Sequence, residues 1–428
     1  MKIMLYRPDG FFRKVRSFIP WALLPFLAVS GLSGDALRDD VLEFNRNMRA
    51  VISRESTAPP IAARNLAMMH RALHCTILEV PDLDPRASVT DLRSGLAGAG
   101  IEMLNMLFPS TSWDVKKVLK DLNAPDPDFY QLGQQVARDV LTERSGDGSS
   151  QSITYIPHSK PGMWRRTGPR FRPPELPQWP LVRPFVLFDV SAFRAPPPPA
   201  LDSPEYASDW NEVRLLGARD SETRTADQAE IARFWSYFSY TGTPPGVWNQ
   251  IAALLAESRD LGGVETIELF CVLNLALADA GIVAHDTKFH YNFWRPLDAI
   301  HRADEDGNPS TRMDPDWIPM LEEPPHPEYV SGHSTFSGAG AEILSRFFGT
   351  EDLSFNLTSE SFPDQPRHFS NPWEAAREAG RSRVFGGIHY EFSNRVGLEA
   401  GRRVADYVLE HHEAYLGGCL NSPHEAEN

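Results

Sequence analysis

Three separated stretches of this 428-residue chain carry side chains suited to oxyanion chemistry. In "KFHYNFWRP", Lys288 and Arg295 stand seven residues apart. Seven residues is nearly two helical turns, so an unbroken helix presents both cations on one face. Pro296 disfavours α conformation at Arg295 and is expected to end the helix there. In "HPEYVSGHSTFSGAGAEIL", Ser331, Gly332 and His333 open a run that turns apolar. A helix start at that point exposes backbone N–H groups and partial positive charge, which attract anions. Ser331 can cap that helix or donate to an anion, and Gly332 lets the backbone approach closely. His333 then falls in the first turn, and the small residues from Ser337 to Ala341 permit close packing behind it. In "SRVFGGIHYEF", Arg383 and His389 are six residues apart, on different faces of any unbroken helix. Gly386 and Gly387 are expected to end one helix and turn the chain, so that both side chains converge. Taken singly, the stretches read as a basic face, a capped helix with an incidental histidine, and a helix corner. Taken together they describe a cationic pocket with two histidines.

The elements that must position these residues are helical. "DDVLEFNRNMRAVI", "PIAARNLAMMHRALHCTILEV" and "DFYQLGQQVARDVLTER" place apolar residues at three- and four-residue spacing. After "SGDGSSQS", residues 152–205 are proline-rich and cannot form regular helix. With Trp164, Trp179, Phe185 and Phe188, this segment is expected to be an ordered arm over the helices. Helical patterning resumes at "TADQAEIARFWSYF", "GVWNQIAALLAE" and "VETIELFCVLNLALADAGIVAHDTKFHYNFW", and two more helices are expected at about 373–385 and 390–416. Strand alternation is nearly absent. The fold class is therefore all-α, bundled helices with long loops. The chain divides into an N-terminal segment (1–34), N-terminal helices with the arm (35–205), and a helical bundle carrying the three stretches (206–428).

Composition narrows the partners. A formal net charge of −15 argues against nucleic acid or an anionic membrane surface, so an anion site must be a local cationic pocket. The segment before residue 34 has five basic residues ahead of "FIPWALLPFLAVSGLSG", the pattern of an export signal, which places the protein in the periplasm or outside the cell; without a signal it is cytoplasmic. No other stretch is expected to span a bilayer. Cys75, Cys271 and Cys419 form no C-x-x-C, suggest no disulfide framework, and leave Cys271 as a buried thiol. His70 and His74 are spaced i,i+4 but lack a third zinc ligand. "DEDGNPSTRMDP" has Pro309 where a calcium loop needs glycine. His411 and His412 are expected to face solvent.

The ordered set K-x6-R-P, S-G-H, S-R-x5-H resembles the three-part motif of the vanadium-dependent haloperoxidases and the type 2 phosphatidic acid phosphatases. The resemblance extends to "PPIAARNLAMMHRAL", "RTADQAEIARFW" and "EAGRSRVFGGIHYEFSN", and covers most of the chain after about residue 40. It implies two four-helix-bundle-like halves with a wrapping arm, and vanadate as cofactor in a site that phosphate can also occupy. By resemblance, Lys288, Arg295 and Arg383 neutralise the oxyanion, and Ser331 with the Gly332 N–H completes the cradle. His389 is the metal ligand or, toward phosphate, the nucleophile, and His333 is the acid–base residue. Asp227 is implied to orient Arg383. His326 and His285 border the pocket, where His326 favours bromide or iodide over chloride. Val330 stands where the family usually has proline.

The resemblance implies oxidation of halide by hydrogen peroxide, with the hypohalous acid halogenating a small organic acceptor. Two rivals remain at this level: an acid phosphatase with a phosphohistidine intermediate, and a non-catalytic oxyanion binder, for which His333 would have no use. Membrane helices common in the phosphatases are not expected here, and a homo-oligomer is compatible with the sequence.

Overall fold

The computed structural model describes residues 34–420 apart from positions 120, 123 and 239. The expected export segment lies outside the described residues except for Gly34, where the first helix begins. Thirteen α-helices and one two-stranded hairpin are described. The N-terminal group is α1 (Gly34–Arg54), α2 (Pro59–Leu83), α3 (Val89–Leu107), the single turn α4 (Val115–Val118) and α5 (Pro127–Arg144). Beyond the arm follow α6 (Pro204–Leu216), α7 (Ala226–Phe234), α8 (Thr243–Ser258), α9 (Gly263–Tyr291) and α10 (Pro296–His301). The last group is α11 (Gly332–Phe347), the hairpin β1 (Phe355–Ser359) and β2 (Phe362–Phe369), α12 (Pro372–Phe385) and α13 (Glu391–Leu416). The antiparallel hairpin pairs Phe355 with Phe369 and is the departure from an all-helical chain.

Local chemistry sets the boundaries. Ser88 and Asp91 form a reciprocal capping box on α3, and Thr225 and Gln228 do so on α7. The last two helices, expected at about 373–385 and 390–416, run 372–385 and 391–416. One apolar core extends through both halves, from Leu37 in α1 to Leu416 in α13, and α9 runs through it. By length and apolarity α9 passes as a membrane span, contrary to the sequence expectation, but it is buried among the other helices as a core helix. Helices α11 and α13 meet backbone to backbone. A Cβ on Gly338 would lie 2.1 Å from the Leu398 carbonyl oxygen, and one on Gly401 would lie 2.0 Å from that of Thr335. This close approach locks the helix that starts at Gly332 to the helix that follows His389.

The proline-rich arm is ordered and tied to α9. Asp279, fully buried on α9, accepts three backbone N–H bonds, from Phe185 (2.7 Å), Val186 (2.8 Å) and Leu187 (3.0 Å). Burial raises the Asp279 pKa, and the three donors oppose that rise. Trp164 and Trp179 are buried; each ring contributes about 4 kcal/mol of apolar burial at ~25 cal/mol per Å². Phe188, expected to pack inward, is exposed. The arm also pairs with the chain after α9: Trp164 N–H donates to Asn292 O at 2.7 Å, and Trp294 N–H to Gly162 O at 2.9 Å.

Two further expectations are corrected. Cys75 on α2 forms a disulfide with Cys419, 344 residues later, while Cys271 is the buried free thiol. His412 is buried, with Nδ1 3.2 Å from the Val408 carbonyl, one turn back on α13; His411 is exposed.

Candidate active site

Lys288 and Arg295 do not share a helix. Asn292 adopts a left-handed conformation (φ 54°, ψ 39°) and ends α9 at Tyr291. Arg295 is the N-cap residue of α10, with Pro296 at that helix's first position. The chain turns between the two cations, and they converge because the turn redirects Arg295. Ser331 caps α11, its Oγ accepting from Ser334 N–H at 3.3 Å. Gly386 ends α12, and Gly387 takes a positive φ of 78°, bringing His389 back toward Arg383.

All three cations are buried: Lys288 is 1 % exposed, and Arg295 and Arg383 are 0 %. None forms an ion pair with a carboxylate within 4 Å among the described residues. Lys288 Nζ donates to the loop carbonyls of Pro327 (3.1 Å), Glu328 (2.9 Å) and Val330 (2.5 Å), which uses its three hydrogens. It therefore brings charge to the site while stitching the loop before α11. Arg295 donates from Nε to His326 O (3.0 Å) and from Nη1 to Ile388 O (2.8 Å). Its Nη1 also lies 3.3 Å from His389 Nε2, and its Nη2 lies 2.9 Å from His326 Nδ1. Arg383 donates from Nε to Ser382 Oγ (2.9 Å) and from Nη2 to Ala232 O (3.0 Å). Arg383 Nη1 is buried with no partner.

The two histidines are held in defined tautomers. His389 Nδ1 lies 2.7 Å from Glu328 Oε1, which also accepts from Tyr390 N–H at 3.1 Å. A carboxylate accepts, so Nδ1 carries the proton and Nε2 keeps its lone pair. His333 Nε2 lies 3.2 Å from the Trp235 carbonyl oxygen. A carbonyl cannot donate, so Nε2 is protonated and Nδ1 is the basic nitrogen. His285 donates from Nδ1 to Gly281 O, 3.1 Å away and one turn back on α9, and its ring lies 5.7 Å from that of His326.

A cavity of about 80 Å³ is lined by His285, Lys288, His326, Gly332, His333 and His389, and also by Glu175, Tyr237, Phe238 and Phe336. Desolvation dominates the electrostatics. Burial pushes the His333 and His389 pKa values well below the usual histidine range, assisted by Arg383 at His333 and by Arg295 at His389. Burial likewise lowers Lys288 and His326, and takes His285 down to about 3. Burial pushes the Glu323 and Glu328 carboxyls up to about 7, against the pull of Arg295. Every charge in the pocket is expensive as it stands, and the excess is positive.

Lys288, Arg295, Ser331, Gly332, His333, Arg383 and His389 thus come together, with His285 and His326 on the same cavity. Asp227 does not join them. It lies at the start of α7, its side chain 66 % exposed, and pairs with Arg367 at 3.1 Å. Among the described residues no carboxylate bonds Arg383; the Ser382 hydroxyl and the backbone carbonyl of Ala232 hold it. Sequence reasoning missed Glu328, although it lies inside the quoted stretch; an acid between Pro327 and Tyr329 in an apolar loop was the available signal. It also missed Glu323, which accepts from Leu297 N–H at 2.9 Å and steadies the start of α10 beside Arg295.

Residues 268–418 match the family model described as the VCPO second helical-bundle domain. The vanadium chloroperoxidase of Curvularia inaequalis is 24 % identical over an alignment covering 82 % of this chain and 77 % of that protein. A bacterial vanadium-dependent iodoperoxidase structure superposes with a TM-score of 0.74 at 26 % identity, covering 87 % of this chain and 96 % of that one. A bacterial vanadium-dependent chloroperoxidase structure in its apo form shares the fold, with a TM-score of 0.68 at 15 % identity over 84 % of this chain and 96 % of that one.

Proposed function

We infer that this chain is a vanadate-dependent haloperoxidase, oxidising bromide or iodide with hydrogen peroxide to hypohalous acid that halogenates organic acceptors, a reading supported by its likeness to vanadium-dependent haloperoxidases. The observation that carries this reading is the set of three buried cations, without carboxylate partners among the described residues, gathered around a histidine whose Nε2 is unprotonated. Such a concentration of buried positive charge favours an anion among its members.

The residues fit vanadate. Arg383 Nη1 is an orphaned buried donor, and a Cβ built on Gly332 meets nothing within 4 Å, so the start of α11 faces open space. His389 Nε2 would ligate the metal, with Arg295, Arg383, the Gly332 N–H and the Lys288 charge neutralising the oxygens. Vanadate supplies a Lewis acid that activates peroxide without itself changing oxidation state. The protein supplies the rest. Glu328 keeps the proton on His389 Nδ1, so that Nε2 stays directed at its ligand. His333, neutral because it is desolvated and with Nε2–H committed to Trp235, takes the peroxide proton at Nδ1 and later returns it. The cavity admits peroxide and a halide and is too small for a drug-sized acceptor, so hypohalous acid leaves before halogenation.

His326 and His285 form the wall where halide preference is set. The likeness to an iodoperoxidase, and two neutral imidazoles there, support iodide or bromide over chloride. The Cys75–Cys419 disulfide supports an oxidising compartment and hence export.

Incubating the purified protein with orthovanadate, hydrogen peroxide and bromide or iodide should halogenate a diketone. Absence of that activity, alongside vanadate-inhibited hydrolysis of a phosphate ester, overturns the reading in favour of a phosphatase.

A further inference from the structure

Both working side chains on the α11–α12 side of the pocket are held by the C-terminal end of α7. Its Ala232 carbonyl accepts from Arg383 Nη2 at 3.0 Å, and the Trp235 carbonyl, just past the helix, accepts from His333 Nε2 at 3.2 Å. Backbone carbonyls have no side chain of their own to hold them in register. Their position depends on what fixes α7 against α12, the helix that carries Arg383.

Arg367 on β2 does this. Its Nε and Nη2 each donate to one carboxylate oxygen of Glu378 on α12, both at 2.9 Å. Its Nη1 donates to Glu230 (2.9 Å) and to Asp227 (3.1 Å) on α7. Glu378 Oε1 in turn accepts from the indole Nε1 of Trp235 at 2.9 Å, the residue whose carbonyl holds His333. The Trp235 ring is 1 % exposed and packs on Phe369, at 6.0 Å between centroids. The Arg367 and Glu378 side chains are only 19 % and 18 % exposed, so this bidentate pair is sheltered from solvent screening.

We propose that Arg367 is a positioning residue for the haloperoxidase reaction: by clamping α7 to α12 through Glu378, it sets the two backbone carbonyls that fix the His333 tautomer and the Arg383 orientation. The proposal rests on the functional reading above. It also gives Asp227 a different role: the carboxylate acts on the site through Arg367 and α7, and makes no contact with Arg383.

The test uses Arg367→Met, which keeps the aliphatic stem, together with Arg367→Lys and Glu378→Gln. Arg402→Met is the control, since Arg402 carries a comparable set of ion pairs to Glu399 and Asp406 on α13. In vanadate-loaded protein, Arg367→Met should lower kcat at least about tenfold, change KM for peroxide less than about threefold, and displace the acid limb of the kcat/KM pH profile. Arg367→Lys should recover part of the loss, Glu378→Gln should reproduce it, and Arg402→Met should resemble wild type. Independently, vanadate-free protein labelled with ¹⁵N-histidine, with His333 assigned through His333→Asn, should show His333 protonated on Nε2 in wild type. In Arg367→Met it should show mixed tautomers. If Arg367→Met does not fold, the Lys and Gln variants carry the same comparisons. Wild-type tautomer signals and pH profile in the clamp variants, or an equal loss in Arg402→Met, overturn the proposal. Absence of haloperoxidase activity in wild type defeats the functional reading instead, while the ¹⁵N comparison still decides whether the clamp exists.

Discussion

His70 on α2 and His389 in the pocket are both buried, and they differ in what their rings touch. On α2, His70 is 1 % exposed, stacks on Phe270 at 5.0 Å between centroids, and leaves both ring nitrogens without a partner. In the pocket, His389 is 3 % exposed, with Glu328 on one nitrogen and Arg295 beside the other. Burial lowers both pKa values, so neither exposure nor titration separates them. The difference is directional bonding. A ring whose proton is placed by a carboxylate has a defined lone pair to offer; a ring in an apolar slot is a flat, neutral packing surface. Burial marks where a histidine is, and its second partner marks what it is for.

The largest expected effect breaks the comparison at its functional end. His389→Ala should reduce haloperoxidase activity by at least about 10³-fold and abolish tight vanadate binding, while His70→Phe leaves kcat near wild type. Steady-state halogenation assays and vanadate titration measure both. Next, Glu328→Gln should lower kcat or vanadate affinity about 10- to 100-fold, because an amide can present either a donor or an acceptor to Nδ1 and no longer specifies the tautomer. The third sharpens the structural end. Desolvation takes the His70 pKa down to about 3 from an unfolded value near 6.5. A base with a depressed folded pKa contributes full stability above its unfolded pKa and loses it as the pH falls toward its folded pKa. Stability should therefore drop by about 2 kcal/mol from this group between pH 6.5 and pH 5, and His70→Phe should remove that part of the acid slope in urea titrations. The smallest effect concerns Asp227. Asp227→Asn should change kcat less than about threefold, since Glu230 and Glu378 still hold Arg367.

Much of the site was legible because its side chains are of rare types in a fixed order. Lys288, Arg295, the Ser331–His333 turn, Arg383 and His389 all line or support one cavity. The missing parts share a physical reason. The acceptors for His333 and Arg383 are carbonyls of Trp235 and Ala232, and a backbone atom has no signature in a sequence. The resemblance implies that Asp227 orients Arg383, but the start of α7 points it outward to Arg367. The turn at Asn292 was hidden by a run that keeps helical apolar spacing through "NFW" and is broken by one left-handed residue. The helices themselves were legible from apolar periodicity, and the start of α11 from its cap at Ser331. The pairing of Cys75 with Cys419 was not, because a separation of 344 positions leaves no local trace.

That pairing makes most of the chain a covalent ring. A single protease cut anywhere between residues 75 and 419, including within the proline-rich arm, opens the ring and releases no fragment. Non-reducing electrophoresis of nicked protein would still show one species, and a reductant would reveal two. The α13 helix, which begins two residues after His389, would then keep its far end moored to α2 even after the chain had been severed. Wear on the surface is thereby separated from loss of the parts that do the chemistry.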